Sequence, residues 1–292
     1  MRVVSLSEVQ PRPRHVAVGE FDGVHLGHRE VISGSDTVLT FEPHPASVVR
    51  PGGGPKLLTT LELKAELVAE LGVEELVVVP FDESFAQQEA AEFIDRVLIE
   101  ALAATRVSVG ANFRFGHRAR GTAALLESDG RFETRVVPLV EVDGLPVSST
   151  RIRNLLGDGD VDAAAQLLGA PFRMRGEVVP GDRRGRELGF PTANMVPDPK
   201  LASPGHGVYA CRAGEHVAAV NVGVRPTFGA GLNSLVEAFL LDYDGDLYGQ
   251  RLTVEFVARL RGEERFESAQ ELVAQMHRDV QRTRELLASG VE

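Results

Sequence analysis

The sequence has no tryptophan and only one cysteine, Cys211, among its 292 residues. A single cysteine can form neither an intramolecular disulfide nor a cysteine-based zinc site, so the composition favours a reducing cytoplasm. No stretch approaches the run of about 20 apolar residues that a membrane-spanning helix requires. The N-terminus also lacks the apolar segment and cleavage site of a signal peptide. Together these features predict a cytoplasmic protein without a membrane partner.

Basic residues are scarce as well, with 31 Lys and Arg against 42 Asp and Glu, for a net charge of −11. Such a charge opposes non-specific attraction to nucleic acid, so no nucleic-acid partner is expected. The negative net charge does not exclude an anionic small ligand, because nucleotides are held by local groups such as helix N-termini and a few arginines. With 43% hydrophobic and 25% charged residues the chain is typical of globular proteins, and its length predicts two domains.

Up to about residue 168, short apolar runs alternate with amphipathic helices. Helices are predicted near residues 63–71, after a capping box formed by Thr59 and Glu62, and over residues 90–104. Continuous apolar strands predict a parallel sheet covered on both faces, whose ligands bind beyond the carboxyl ends of the strands. The predicted strands are 15–19, 37–41, 76–81, 107–110 and 136–140.

After residue 171 the chain becomes rich in Gly, Pro and β-type runs, and turn sequences such as Asp244-Gly245 separate them. This pattern of short β-type runs separated by turns predicts a small antiparallel β-barrel. A terminal helix over 268–288 carries an apolar stripe that should pack on the barrel. We therefore predict domains at 1–168 and 171–292. The predicted barrel strands are 207–212, 217–223, 235–243 and 251–260.

The first predicted strand leads into Gly-Glu-Phe-Asp-Gly-Val-His-Leu-Gly-His, residues 19–28. Gly19 and Gly23 let the backbone approach a ligand closely, and His25 and His28 share one face in a first helical turn. Backbone N–H groups and two imidazoles would then converge on anionic oxygens, as adenylyl transfer requires. A purely structural histidine pair is the competing interpretation, and a zinc site would need ligands that the sequence does not supply.

A second polar segment, Ser148-Ser149-Thr150-Arg151-Ile152-Arg153, comes near the end of the same predicted domain. Its hydroxyl groups can cap a helix and its arginines can bind phosphate. Alone, it would be interpreted as an ordinary helix cap.

The barrel region begins with a glycine-rich segment, residues 175–194, with glycines at 176, 181, 185 and 189. Its N–H groups could surround phosphates, although β-turns also require glycine. Thr192 and Asn194 offer neutral oxygens suited to a magnesium ion shared with ATP.

Glu237 falls by alternation on the same strand face as Leu235, Phe239 and Leu241. A carboxylate on an apolar face should have a raised pKa and could take a proton from a hydroxyl group. A solvated glutamate near a strand end is the alternative. Arg259, Arg261 and the charged turn that follows them are interpreted as solvated.

The histidine motif and the Ser-Ser-Thr-x-Ile-Arg segment resemble the HxGH nucleotidyltransferase superfamily, which has an α/β, Rossmann-like fold. Three further segments narrow the resemblance: Thr-Phe-Glu-Pro-His-Pro at 40–45, Gly-Ala-Asn-Phe-Arg-Phe-Gly at 110–116, and Gly-x-x-x-Gly-Phe-Pro-Thr-Ala-Asn at 185–194. In this order they resemble prokaryotic bifunctional riboflavin kinase/FAD synthetases along nearly the whole chain.

The resemblance implies two ATP-dependent reactions, phosphorylation of riboflavin to FMN in the barrel and adenylylation of FMN to FAD in the N-terminal domain. It implies riboflavin, FMN and ATP as small-molecule partners and Mg²⁺ as the cofactor, and it leaves the oligomeric state open. The implied residues are Glu237, His25 and His28 for catalysis; Gly19, Phe21, Gly23, Ser149, Arg153, Gly176, Gly181 and Gly189 for ATP and phosphate; Pro43, Pro45 and Asn112 for flavin; and Thr192 and Asn194 for the metal.

Two rival functions compete with this interpretation. Another superfamily enzyme, acting on a different phosphate ester, would leave Pro191-Thr-Ala-Asn194 unexplained. A non-catalytic flavin-binding protein would have no need of the histidines and Glu237. One departure from the family pattern is the short crossover from His28 to the second predicted strand, which barely reaches the dozen residues that such connections need.

Overall fold

The computed structural model describes residues 1–181, 189–225 and 233–288. The chain folds into two compact units, Met1–Ser149 and Thr150–Glu292. Within the described ranges, no helix combines the length and the apolar character needed to cross a membrane.

The first unit is built on a six-stranded, all-parallel sheet with the order β1-β4-β3-β2-β5-β8. All five predicted strands are present, although the last, predicted at 136–140, lies three residues earlier, at Glu133–Val137. The edge strand β1 was missed because it has only four residues, half of them exposed. Two short hairpins, β6–β7 and β9–β10, lie outside the sheet. The strands are β1 Arg2–Ser5, β2 Arg14–Val18, β3 Thr37–Glu42, β4 Glu75–Pro80, β5 Ala104–Gly110, β6 Arg114–Phe115, β7 Gly121–Thr122, β8 Glu133–Val137, β9 Glu141–Val142 and β10 Leu145–Pro146.

Helices cover both faces of this sheet and bury two apolar clusters. Val16 and Val18 belong to one cluster and Ala17, between them, to the other, which explains why three consecutive residues of β2 are apolar. The helices are α1 Leu26–Ile32, α2 Pro45–Val49, α3 Leu61–Ala69, α4 Glu83–Ala86, α5 Ala90–Phe93 with its π-helical continuation Ile94–Ala101, and α6 Ala123–Asp129, together with 3-10 turns at Leu6–Glu8 and His117–Ala119.

The strand order reverses at β2. From β2 the chain continues through β3 to β4 on one side, and it then returns to place β5 on the other side of β2. Loops that leave the carboxyl ends of β2 and β5 therefore diverge to opposite sides and leave a crevice between them, where ligands of open parallel sheets bind.

The predicted cap of α3 is wrong by one residue. Thr60, and not Thr59, caps the helix by accepting a hydrogen bond from the Leu63 N–H (3.2 Å). Thr59 is instead engaged by the histidine-bearing loop, because its hydroxyl accepts from the Gly23 N–H (3.2 Å) and its own N–H donates to Asp22 (3.1 Å).

The second unit contains a closed antiparallel barrel with the order β11-β12-β15-β14-β13-β16, as predicted. Strands β11 and β12 were missed, because their glycines and prolines had indicated a loop. Gly176 lies within β11, paired with Pro197 and Leu252. The elements are α7 Ser149–Asp158, α8 Val161–Leu168, β11 Phe172–Val179, β12 Ala193–Pro197, β13 Gly207–Ala213, β14 His216–Arg225, β15 Asn233–Leu240, β16 Arg251–Arg261 and α9 Ala269–Ala288.

The terminal helix α9 packs on β13, β14 and β16, as its apolar stripe predicted. Its stripe also buries two polar residues, Asp279 and Thr283. Arg261 donates to both carboxylate oxygens of Asp279, at 2.9 to 3.1 Å. The interpretation of Arg261 as a solvated charge is therefore wrong, because helix packing gives it a buried partner.

Candidate active sites

A cavity of about 960 Å³ lies in the first unit, where the loops after β2, β3 and β5 come together. Its size is at the upper end of small-molecule sites, which run from about 300 to 1,000 Å³. Seven of the residues singled out in the sequence line it: Gly19, Phe21, His25, His28, Pro45, Asn112 and Ser149.

Three other residues of the predicted site are placed elsewhere. The N–H of Gly23 donates to Thr59, which directs it into the loop and away from the cavity. Pro43 is exposed in the turn between β3 and α2. Arg153 lies in α7, within the second compact unit.

The two histidines stack on each other. Their ring centroids are 3.5 Å apart and their planes differ by 17°. His25 caps α1, and its Nδ1 accepts the N–H of His28 at 3.2 Å. Because Nδ1 is an acceptor, a neutral His25 carries its proton on Nε2, from which it can donate to a ligand. The prediction that free N–H groups of this turn face a ligand is wrong for His28, whose N–H is engaged by His25.

The loop that carries the histidines is held in a strained conformation. Phe21 and Val24 both have positive φ values, 50° and 42°. Each such residue costs on the order of 1 to 3 kcal/mol, and strain of this kind persists only where surrounding contacts enforce it. Asp22 supplies those contacts: its Oδ1 accepts the N–H groups of Leu58 (2.8 Å) and Thr59 (3.1 Å).

Ser149 contributes to the same restraint. Its hydroxyl donates to the main-chain carbonyl of Asp22 at 3.0 Å. The serine of the Ser-Ser-Thr segment therefore touches the histidine loop directly, although more than 100 residues separate them in the chain.

One wall of the cavity is a chain of phenylalanine rings in contact with one another. Neighbouring centroids along the chain lie 5.3 to 6.3 Å apart, distances at which aromatic rings attract each other. Phe113 and Phe115, from the segment 110–116, both pack against the core and line the cavity. The six rings are Phe41, Phe81, Phe85, Phe93, Phe113 and Phe115.

His44 links the turn after β3 to the rim of the cavity. Its Nδ1 accepts the N–H of Ala46 (3.1 Å), which caps α2. Its Nε2 lies 2.7 Å from Oε2 of Glu20, a cavity residue, in a close contact that is not aligned as a hydrogen bond. Sequence reasoning missed Glu20 because a lone glutamate in a loop carries no signal.

The second candidate site is a row of polar residues on the outer face of the barrel. Asn194 of β12 pairs with Glu237 of β15, which pairs with Asn221 of β14, so their side chains stand side by side. The amide of Asn221 donates to Glu237 Oε2 at 3.2 Å. The next residues along these strands, such as Val236 and Val220, are fully buried in the barrel.

The glycine-rich segment approaches this row. A Cβ on Gly181 would overlap the side-chain amide of Asn194, so a larger residue there would displace that amide. Gly189 adopts a φ of +85°, and Thr192 is half-buried just before β12. Gly185 and Arg186 of the glycine-rich segment lie outside the described residues, as do Thr227 and Phe228, which follow β14.

Aromatic rings lie beside this row of polar residues. Phe190 is placed between the rings of Phe239 and His277. The ring centroids of Phe190 and Phe239 are 5.1 Å apart, and those of Phe190 and His277 are 5.0 Å apart. Phe239 is two residues from Glu237 on the same strand, so this aromatic contact ties α9 to the surroundings of the carboxylate.

These features define a class of protein: a nucleotidyltransferase-type α/β unit with stacked histidines at its switch point, and a separate antiparallel barrel that bears a carboxylate beside two amides. Comparison with known proteins agrees. The family model for FAD synthetase matches residues 7–151, and that for riboflavin kinase matches residues 168–287.

Individual relatives narrow the class. A bifunctional riboflavin kinase/FMN adenylyltransferase of Escherichia coli strain K12 is 38% identical, over 96% of this chain and 95% of its own. One from Listeria monocytogenes is 37% identical, over 94% and 92%. A solved structure described as a macrolide-efflux protein from Streptococcus pneumoniae superposes with a TM-score of 0.88 at 32% identity, over 97% of this chain and 98% of that one.

The chain belongs to the family of bifunctional riboflavin kinases/FMN adenylyltransferases. It is an enzyme that phosphorylates riboflavin to FMN and then adenylylates FMN to FAD.

Proposed function

We propose that residues 1–168 carry the adenylyl transfer and residues 171–292 the kinase reaction, with ATP as the donor in both and the cytoplasm as the compartment. One observation carries the assignment of the first reaction. The histidine pair, Pro45 and Asn112 follow three neighbouring strands in the chain, and all of them line one cavity. The single, buried cysteine supports the compartment.

In the adenylyl transfer, a phosphate oxygen of FMN attacks the α-phosphorus of ATP. A bond forms between them, the bond to the bridging oxygen breaks, and pyrophosphate leaves with the electron pair. His25, through Nε2–H, and His28 stabilise the charge that develops on the phosphates and on the departing pyrophosphate. The phenylalanine wall and Asn112 hold the flavin ring, because flat aromatic surfaces stack on such a lining.

In the kinase reaction, Glu237 takes the proton of the riboflavin 5′-hydroxyl, and the resulting oxygen attacks the γ-phosphorus of ATP, with ADP as the leaving group. The hydrogen bond from Asn221 fixes the position of the carboxylate. Gly181 and Gly189 allow the backbone to come close to the phosphates.

Thr192 and Asn194 would hold Mg²⁺ together with the ATP phosphates. The donor set fits this ion, since Asn194 offers an oxygen directly opposite a carboxylate and Mg²⁺ prefers oxygen ligands with only one or two carboxylates. When bound, the ion neutralises charge on the transferred phosphate.

Two substitutions test which site carries each reaction. The purified enzyme is incubated with ATP, Mg²⁺ and either riboflavin or FMN, and the products are separated by chromatography. His28→Ala should slow FMN-to-FAD conversion by at least about 100-fold, the effect of losing one donor to a charged transition state, and leave riboflavin phosphorylation intact. Asn194→Ala should do the reverse.

Matched controls are His15→Ala and Asn154→Ala. His15 lies at the opposite end of β2 from the cavity, and Asn154 is exposed on α7, so both variants should retain both activities. If the folded His28 and Asn194 variants each lost both activities equally, the two-site assignment would be wrong.

A further inference from the structure

A buried lysine lies beneath the histidine loop. Lys64 is in the first turns of α3, and only 6% of it is exposed. Its ammonium donates to the hydroxyl of Thr40 on β3 at 3.2 Å. That hydroxyl in turn donates to the main-chain carbonyl of Glu20 at 3.1 Å. Lys64 is thus connected through one side chain to a residue that lines the cavity.

Lys64 differs from the other deeply buried cation of this unit. Arg14 is engaged by Glu75 through two hydrogen bonds of 2.9 and 3.0 Å. No carboxylate among the described residues lies within 4.0 Å of the Lys64 ammonium. Burial lowers the pKa of Lys64, while Asp22, Glu42 and Glu20, in that order, act in the opposite direction. Three carboxylates at longer range therefore favour the charged form of Lys64, against the larger effect of burial.

Two of those carboxylates, Asp22 and Glu20, belong to the loop that carries the histidines. Asp22 is 3% exposed and lies in the loop between His25 and the end of β2, and Glu20 lines the cavity. Negative charge in a poorly solvated site opposes the binding of a polyphosphate, because Coulomb interactions are strong where water is excluded. A buried cation behind the loop offsets this effect.

We infer that Lys64 is a positioning residue of the adenylyl-transfer site, which secures the Glu20 carbonyl through Thr40 and offsets the charge of Asp22 so that the histidine loop accepts the phosphates of ATP. This inference rests on the proposed function of the cavity. Lys64 does not line the cavity and acts only through the loop.

The test begins with Lys64→Met in the full-length enzyme. The KM for ATP in FMN-to-FAD conversion should rise at least tenfold, with a smaller change in kcat, while riboflavin phosphorylation by the same molecules stays at the wild-type rate. The thermal midpoint should fall less than in Arg14→Met, because Lys64 makes no direct ion pair, although its loss leaves the buried charge of Asp22 less well balanced. A purely structural lysine would lower the midpoint and leave the KM for ATP unchanged.

Asp22→Asn completes a double-mutant cycle. Asparagine retains the oxygen that accepts the Leu58 and Thr59 N–H groups but removes the charge. Combined with Lys64→Met, it should restore much of the lost ATP affinity, because it removes the charge of Asp22, the carboxylate that acts most strongly on Lys64. Alone, it should leave the KM for ATP unchanged or lower it. This arm keeps the inference testable even if Lys64→Met fails to fold.

The outcomes separate the inference from the function on which it rests. Wild-type enzyme that makes no FAD would overturn the proposed function itself. If the wild type makes FAD, then a normal KM for ATP in Lys64→Met, no recovery in the double variant, or a raised KM in Asp22→Asn overturns only the role of Lys64. Arg14→Met is the matched control, since it removes a buried cation from the opposite end of the sheet and should not change the KM for ATP.

Discussion

Cys211 lies in β13 with its side chain completely buried in the barrel. Burial raises the pKa of its thiol well above the usual value, so the reactive thiolate is scarce as well as inaccessible. We expect almost no labelling by iodoacetamide at pH 8 in the native enzyme and complete labelling in denaturant, measured by mass spectrometry.

The control for this experiment is an added cysteine at an exposed position. Ser268→Cys, just before α9, should be labelled in the native state at the rate of a free thiol. Labelling of Cys211 at that same rate, without denaturant, would show that the barrel opens in solution.

At the scale of single residues, the sequence predicts those whose chemistry is unusual for their position. His25, His28 and Ser149 stand out in short motifs, and the structure brings all three to one cavity. Lys64 does not stand out, because a lysine in an amphipathic helix normally faces solvent and only the packing of α3 against β3 buries it. Phe81 and Phe85 likewise resemble ordinary core residues until the strands are assembled.

Among the secondary-structure elements, β11 and β12 approach each other unusually closely. A Cβ on Gly176 would come within 2.6 Å of the Met195 side chain and of the Val196 carbonyl oxygen. Gly176→Ala should force β12 outward and displace Asn194 with it. We expect a loss of about 1 to 3 kcal/mol in unfolding free energy, as for other overpacked cores, and a kinase reaction that is slowed while FAD synthesis from FMN persists.

Gly157 provides the matched control. It lies inside α7, its φ is not positive, and a Cβ there would meet no atom within 4 Å. Gly157→Ala should therefore stabilise the protein by up to about 1 kcal/mol, the difference in helix propensity, as measured by urea denaturation. Equal stabilities for the two alanine variants would contradict the close approach of β12.

Element prediction succeeded where periodicity was strong and failed where glycine and proline interrupted it. The parallel strands and α9 could be placed from their apolar patterns. Strand β11 could not, because Gly176 is required there by contact with β12, a partner that follows it in the chain by about twenty residues. The position of the α3 cap failed for a similar reason, since the tertiary contacts of Thr59 left Thr60 to cap the helix.

At the scale of the whole molecule, a destabilising substitution in the first compact unit should lower the heat stability of only one of the two activities. Arg14→Met leaves Glu75 buried without the two hydrogen bonds that Arg14 donates to its Oε2, although Arg2 and Arg12 lie 3.8 and 3.7 Å from that carboxylate. Breaking a buried pair costs about 3 to 5 kcal/mol. We expect heat to inactivate FMN-to-FAD conversion at a clearly lower temperature than in the wild type, while riboflavin phosphorylation keeps its normal inactivation temperature.

Arg96→Met tests the same kind of substitution at the surface. Its ion pair with Glu92 is largely exposed, so its loss should change stability by less than about 1 kcal/mol. If Arg14→Met lowered the inactivation temperatures of both reactions equally, the two units would unfold as one.

The order of the barrel strands has a consequence for synthesis on the ribosome. Its seam joins β11 to β16, the first and last strands of the barrel, with 71 residues between Val179 and Arg251. Every strand of the parallel sheet precedes residue 138, so the first unit can be complete while the barrel still has an open edge. Because such distant pairings form late, the interval before residue 261 emerges is the time when this chain exposes unpaired strands and is most vulnerable to aggregation.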